Sequence, residues 1–171
     1  FFHMCFGKVP SKEIVKAFDV SLILYAEHSF NVSTFTARTI TSSLSDIHGA
    51  ITGAIASLKG PLHGGANEEV MHMMDKINKP EKALNWINNT LDKKEVVMGF
   101  GHRVYKKGDS RVPTMEKYFK KVASIKNDKK FIKIYDIVKN VMIERKNIHP
   151  NVDYPTGPTY HLMGFDTDFF T

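Results

Sequence analysis

The chain has 171 residues, 42% of them hydrophobic and 25% charged, and a net charge of +6. That composition fits a water-soluble globular chain with one substantial core or two small lobes. No apolar run reaches the roughly 20 residues that a bilayer crossing needs.

The single cysteine, Cys5, excludes an internal disulfide framework and suits a reducing compartment. No secretory pattern opens the chain, and a start at Phe1 rather than Met leads us to expect a missing N-terminal portion. Lysines gather at 106–107, 117–133 and 139–146, so the positive charge belongs to the second half. No aromatic-interleaved basic strand, zinc-finger spacing or helix-turn-helix pattern accompanies them, which argues against a nucleic-acid partner. A solvated helical surface, or a site for a phosphate-bearing small molecule, fits them better.

In chain order, Val9-Pro10-Ser11 closes an opening segment, and Ser11 suits a helix N-cap. Ile14, Val15, Phe18, Leu22, Ile23, Tyr25 and Ala26 then recur at helical spacing. The spacing predicts a largely buried helix that delivers Glu27 and His28 at its C-terminal end. Ser33 or Thr34 is the expected cap of a second helix carrying Phe35, Ala37, Ile40 and Leu44. A third is expected from His48-Gly49, and its Gly53 implies a close packing contact, since a mid-helix glycine costs about 1 kcal/mol. Pro61 stops that run.

Asn67, Glu68 and Glu69 open a helix over 67–79, in which Met71, Met73 and Met74 read as pliable core. Pro80 and Glu81 start another, with Ala83, Leu84, Trp86, Ile87 and Leu91 as its apolar positions. Helices over about 113–126 and 128–146 follow, the latter with a stripe of Phe131, Ile134, Tyr135, Val138, Val141 and Met142. The two prolines in 147–156 predict a break there, and a last helical run is expected over 158–165. β-Branched residues cluster only at Val96 and Val97, too little for a sheet, so the expected fold is all-α. His48 and His72 read as ordinary structural histidines, and Cys5, between Met4 and Phe6, as a buried thiol rather than a nucleophile.

Three stretches carry chemistry. GPLHGGANEEV at 60–70 sets His63 at a glycine-rich corner ahead of a helix N-terminus. The helix dipole there disfavours added positive charge and pushes the imidazole towards its neutral, hydrogen-bond-donating form. VVMGFGHRVYKKGDSR at 96–111 joins a short apolar run to a corner holding His102 and then to a basic loop. HPNVDY at 149–154 places Asp153 just after a proline. Each alone reads equally as a turn residue with a satisfied hydrogen bond. Two histidines and an aspartate also leave open a two-His-one-carboxylate metal site, against which stand the wide spacing and the lack of CxxC or HExxH.

Together, and in this order, the three stretches resemble the citrate synthase family, and YAEHSFNVST at 25–34 is a fourth match. The GPLHGGANE and GFGHRVYKKGDSR wording is most similar to the 2-methylcitrate synthase branch. The resemblance implies a two-domain helical fold, with residues 1–63 part of a large domain, 64–156 a small domain and 157–171 a return to the large one. The site then lies in the cleft between them.

The implied reaction condenses propionyl-CoA or acetyl-CoA with oxaloacetate. By resemblance Asp153 removes the α-proton, His63 hydrogen-bonds the thioester oxygen, and His102 polarises the ketone and protonates the alkoxide. His28 and Arg111 bind oxaloacetate, although for Arg111 a surface ion pair with Asp109 is the competing account. The main chain of Val96, Val97, Met98, Gly99 and Phe100 meets the adenine end of coenzyme A, with Lys106 and Lys146 as phosphate contacts. The resemblance further implies a homodimer without a permanently bound cofactor, metal, nucleic acid or membrane. It would work in the cytoplasm, or in the mitochondrial matrix of a eukaryote. The family continues past the last residue here to further arginines, so the 171 residues alone are expected to lack turnover. An inactive fragment or a helical interaction module is the alternative that the sequence leaves open.

Overall fold

Local caps set where the helices of this computed structural model begin. It describes residues 1–171 except Glu27, Ser29, Phe30 and Lys106. The helices are α1 (Phe2–Phe6), α2 (Lys12–Tyr25), α3 (Val32–Ser42), α4 (Ile47–Leu58) and α5 (Ala66–Ile77), then α6 (Pro80–Asp92), α7 (Val112–Ile125), α8 (Lys130–Lys146) and α9 (Asp153–Met163). A 3-10 turn at Thr167–Phe169 follows. Among the described residues there is no strand, only one antiparallel bridge between Phe100 and Pro150.

The caps of α3 and α4 fall earlier than expected. Asn31 Oδ1 accepts the Thr34 N–H at 2.6 Å, and Asp46 Oδ1 accepts the Gly49 N–H at 2.8 Å. Each carboxamide or carboxylate satisfies an N–H that the first helical turn leaves unpaired. α3 and α4 form a hairpin, and a Cβ on Gly53 would collide with Ile40 Cδ1, which accounts for the glycine.

α9 is the centre of the packing and lies on α5, α7 and α2. Its Tyr154 is fully buried, stacks on Tyr135 of α8 with ring centroids 4.5 Å apart, and donates its hydroxyl to the Tyr135 carbonyl at 3.0 Å. Around it Val70, Met71, Met74 and Ile77 of α5, Met115, Phe119 and Val122 of α7, and Ile134 and Val138 of α8 are all fully buried. The stripe expected on α8 is the buried stripe, and the methionines of α5 are core.

Three expectations are corrected. α9 starts at Asp153, not at 158. Pro155 falls in the first turn, where a missing N–H leaves no bond unmade, and the helix continues through Pro158. Thr156 and Thr159 hydroxyls donate to the Val152 and Pro155 carbonyls at 2.7 and 2.6 Å and so tie that irregular stretch together. α2 is not largely buried: Ile14, Ala17 and Ser21 face α7 and α9, whereas Leu22 and Ile23 are 52% and 62% exposed. Cys5 is exposed, because the inward side of the short α1 is taken by Phe2 and Phe6, whose rings lie 5.4 and 5.1 Å from that of Phe165.

Candidate active site

His63 sits in the turn that links α4 to α5, its N–H donated to the Gly60 carbonyl at 2.9 Å. Its Nε2 accepts the backbone N–H of Ser33 at 3.1 Å and lies 2.9 Å from Ser33 Oγ. A backbone N–H only donates, so Nε2 is unprotonated and the neutral ring carries its proton on Nδ1. Burial and then the nearby His28 hold the His63 pKa below the ordinary histidine value. The neutral form read from the sequence is therefore favoured here, by burial and by His28.

His102 is placed by the loop before α7. Its Nδ1 accepts the N–H groups of Val104 at 3.0 Å and Tyr105 at 3.2 Å. The neutral ring then keeps its proton on Nε2, which lies 2.7 Å from Nε2 of His28. Tyr105 stacks on His28 with ring planes 9° apart and covers His102 at 4.5 Å. The described residue His28 of the upstream motif therefore meets His102 directly, while Glu27, Ser29 and Phe30 of that motif lie outside the described residues.

Asp153 is the first residue of α9. Tyr25, at the end of α2, donates its hydroxyl to Asp153 Oδ1 at 2.5 Å, and the Asp153 N–H goes to Asn151 Oδ1 at 3.1 Å. Burial pushes the Asp153 carboxyl up to about 6, against the lowering effect of the Tyr25 hydrogen bond and the Arg111 charge. At neutral pH it remains mostly ionised, yet it is a stronger base than an ordinary carboxylate.

Arg111 caps α7 and grips Asp109 side-on: Nε to Oδ1 at 2.9 Å and Nη2 to Oδ2 at 2.8 Å. The ion pair weighed for the sequence is present, but it is not on the surface, since the two side chains are only 14% and 1% exposed. Burial alone would disfavour both charges; their mutual hydrogen bonds outweigh it, holding Asp109 below and Arg111 above their ordinary values. A guanidinium has five N–H donors in a planar fork, so this side-on grip leaves donors for a ligand carboxylate.

The loop at 96–101 is fixed against the segment preceding α9. The Gly101 N–H donates to the His149 carbonyl and the Asn151 N–H to the Gly99 carbonyl, both at 2.9 Å, while Asn151 Nδ2 reaches the Gly101 carbonyl at 3.0 Å. Gly99 has φ +82, and a Cβ there would lie 2.7 Å from Val70 Cγ2 and 2.9 Å from Tyr154. Only glycine allows that backbone to press so closely on α5 and α9. Val96, Val97, Phe100 and Lys146 share a pocket of about 370 Å³ with Lys94, while Met98 and Gly99 do not line it. Lys106 lies outside the described residues.

Tyr105, which contacts His28 and His102, also has its ring centre 5.7 Å from the Arg111 guanidinium. Arg111 acts on Asp153 and His28 on His63, so His28, His63, His102, Arg111 and Asp153 form one constellation. The sequence did not single out Tyr25, read as an apolar helix position, or Ser33, read as a cap. Both lie within the YAEHSFNVST match, which was the available signal.

The family description "Citrate synthase, C-terminal domain" matches residues 1–171. The chain belongs to the citrate synthase family. It is 59% identical to 2-methylcitrate synthase 2 of Corynebacterium glutamicum, over 98% of this chain and 45% of that protein. It is 54% identical to a citrate synthase of Mycolicibacterium smegmatis, over 100% of this chain and 46% of that protein. Among solved structures, the ternary complex of carboxymethyl coenzyme A and oxaloacetate with citrate synthase from Thermoplasma acidophilum matches with a TM-score of 0.89 and 36% identity, over 97% of this chain and 45% of that one. The chain therefore spans somewhat less than half the length of these citrate synthase relatives.

Proposed function

We propose that the protein carrying this chain condenses an acyl-CoA with oxaloacetate and releases coenzyme A, propionyl-CoA being the favoured acyl donor and acetyl-CoA a second one. The observation that carries the reading is a carboxylate raised to about 6 in the same constellation as two histidines whose protonated nitrogens are set by backbone N–H groups.

An α-proton of a thioester is far less acidic than a carboxylic acid, so a carboxylate removes it only if the enolate is stabilised as it forms. Asp153 takes that proton, and His63 donates from Nδ1 to the thioester oxygen. The enolate carbon then attacks the oxaloacetate ketone. His102 donates from Nε2 to the ketone oxygen and supplies the alkoxide with its proton, the ring being reprotonated from solvent. Arg111 and His28 hold the oxaloacetate, which displaces the direct His28–His102 contact. Hydrolysis of the resulting thioester frees coenzyme A. The main chain of 96–100 receives the adenine end, with Lys146 and Lys106 towards its phosphates.

The same reading puts the site between a large domain (1–63 and 157–171) and a small one (64–156), in a cytoplasmic homodimer. The relatives carry both 2-methylcitrate synthase and citrate synthase names, and one methyl group in a pocket is worth only about 1–3 kcal/mol. Steady-state rates of the full-length protein with oxaloacetate and each thioester test both levels. A higher kcat/KM with propionyl-CoA supports the branch, and no product from either thioester overturns the reading.

A further inference from the structure

Asp109 has no part in the chemistry above, yet its carboxylate is among the most enclosed polar groups of the chain, with the residue 5% exposed and its side chain 1%. A buried carboxylate is costly unless it is fully hydrogen-bonded and paired. Its partners meet that need from two directions. Oδ1 accepts the Arg111 N–H at 3.0 Å and Nε at 2.9 Å, and Oδ2 accepts Nη2 at 2.8 Å and a longer Nε contact at 3.2 Å. Oδ2 also accepts the N–H of Val152 at 3.0 Å.

Val152 is the N-cap residue just ahead of α9, and its own side chain makes no cap. A carboxylate 43 positions away supplies one instead, and a negative charge suits a helix N-terminus. The next residue is Asp153. One carboxylate therefore connects the guanidinium of Arg111 to the first turn of the helix that carries Asp153.

We propose that Asp109 is a positioning residue that holds Arg111 for oxaloacetate and Asp153 for proton removal as one unit. The proposal rests on the synthase reading and adds to it a mechanical link between the two substrates' sites. The geometry excludes the simpler account of a solvated ion pair, because the fork is side-on, enclosed and shared with two backbone N–H donors. Charge acts in the same direction. The positive Arg111 lowers the proton affinity of Asp153 while the negative Asp109 raises it, so the pair leaves the base less weakened than Arg111 alone would.

Asp109→Asn in the full-length protein is the test. The amide keeps shape and an acceptor for the Val152 N–H but removes the charge, and Asp109→Ala removes both. The KM for oxaloacetate should rise roughly tenfold or more in Asp109→Asn, as expected for loss of a charge-assisted contact. Deuterium exchange from the acyl-CoA should slow, and the acid limb of its pH profile should move to lower pH. Among the described residues, the charged or titratable groups facing Asp153 are Tyr25 from α2, Arg111 and Asp109 from the loop ahead of α7, and Tyr160 of α9, and only Asp109 changes. Asp109→Ala should show the same shifts with a further loss in Tm. An Asp109→Asn protein that melts lower but keeps both the wild-type KM and the wild-type acid limb would overturn the proposal in favour of a purely structural role. If the wild-type protein forms no product, the synthase reading fails on its own. Asp109 is then read from the carbon-13 titration of the Asp153 carboxyl, where a lower midpoint in Asp109→Asn upholds the coupling and an unchanged midpoint overturns it.

Discussion

Tyr25, the last residue of α2, donates its hydroxyl to Oδ1 of Asp153, the first residue of α9, at 2.5 Å and across 128 positions of sequence. Burial and then the neighbouring carboxylate raise the Tyr25 pKa well above the ordinary tyrosine value, so the phenol stays a donor at every working pH. The bond favours the ionised form of Asp153.

Tyr25→Phe should therefore leave Asp153 with a higher proton affinity than in the wild type. A hydrogen bond to a charged group contributes about 1.5–3 kcal/mol, which bounds the rise at roughly one to two pH units. The acid limb of kcat/KM for the acyl-CoA should move to higher pH. An unmoved limb would mean that Tyr25 does not set the ionisation of the base.

Asp153→Asn should abolish turnover and yet stabilise the protein at neutral pH. The folded carboxyl titrates near 6, above its ordinary 3.8, so the folded state binds the proton more tightly than the unfolded one. The stability this confers is fully present below the unfolded value and is lost as pH rises through about 6. The neutral amide escapes that loss and still accepts from Tyr25. Its Tm should exceed that of the wild type at pH 7–8, by the equivalent of at most about 3 kcal/mol, and the difference should shrink towards pH 4. Deuterium washout from the acyl-CoA checks the chemistry, and melting curves at the two pH values check the sign.

What the sequence disclosed, and what it hid, follows from the range of each interaction. The α8 stripe of Phe131, Ile134, Tyr135, Val138, Val141 and Met142 is legible because helical periodicity is local. The start of α9 was misplaced because two prolines weigh heavily in a local reading. Pro155 happens to fall where proline is tolerated, and the cap comes from Asp109. α2 was expected to be buried because apolarity shows in the sequence and the covering partner does not. The candidate residues His28, His63, His102, Arg111 and Asp153 came from ordered motifs, not from any physical signal joining them. Tyr25 and Ser33 act through bonds spanning 128 and 30 positions, for which no local pattern exists.

Arg111→Lys separates binding from fold. An ammonium is a point donor and cannot reproduce the side-on fork on Asp109, so the buried carboxylate is left partly unpaired. Tm should fall, by the equivalent of about 1–3 kcal/mol, and the KM for oxaloacetate should rise with kcat changed less. An unchanged KM would confine Arg111 to pairing with Asp109.

Among the described residues, nothing covers the outer face of α4. Ile47, Ile51 and Ile55 follow one another at four-residue spacing on α4 and are 72%, 51% and 61% exposed, with Phe35 of α3 at 65%. A helix as apolar as α4 is ordinarily buried, and a contiguous apolar patch of this kind marks an interaction site. Under the homodimer proposal this face meets the same face of a second copy, because a two-fold axis makes the contact self-complementary. Ile51→Glu combined with Ile55→Glu would bring like charges together across that axis, each facing the other's low-dielectric surroundings. The full-length variant should run as a monomer by size exclusion with light scattering, where the wild type runs as a dimer. Those two positions point away from the α3–α4 contact made by Gly53 and Ile40, so helicity by circular dichroism should be retained. A variant that remains fully dimeric would place the interface elsewhere and leave the α4 face to another segment of the same polypeptide.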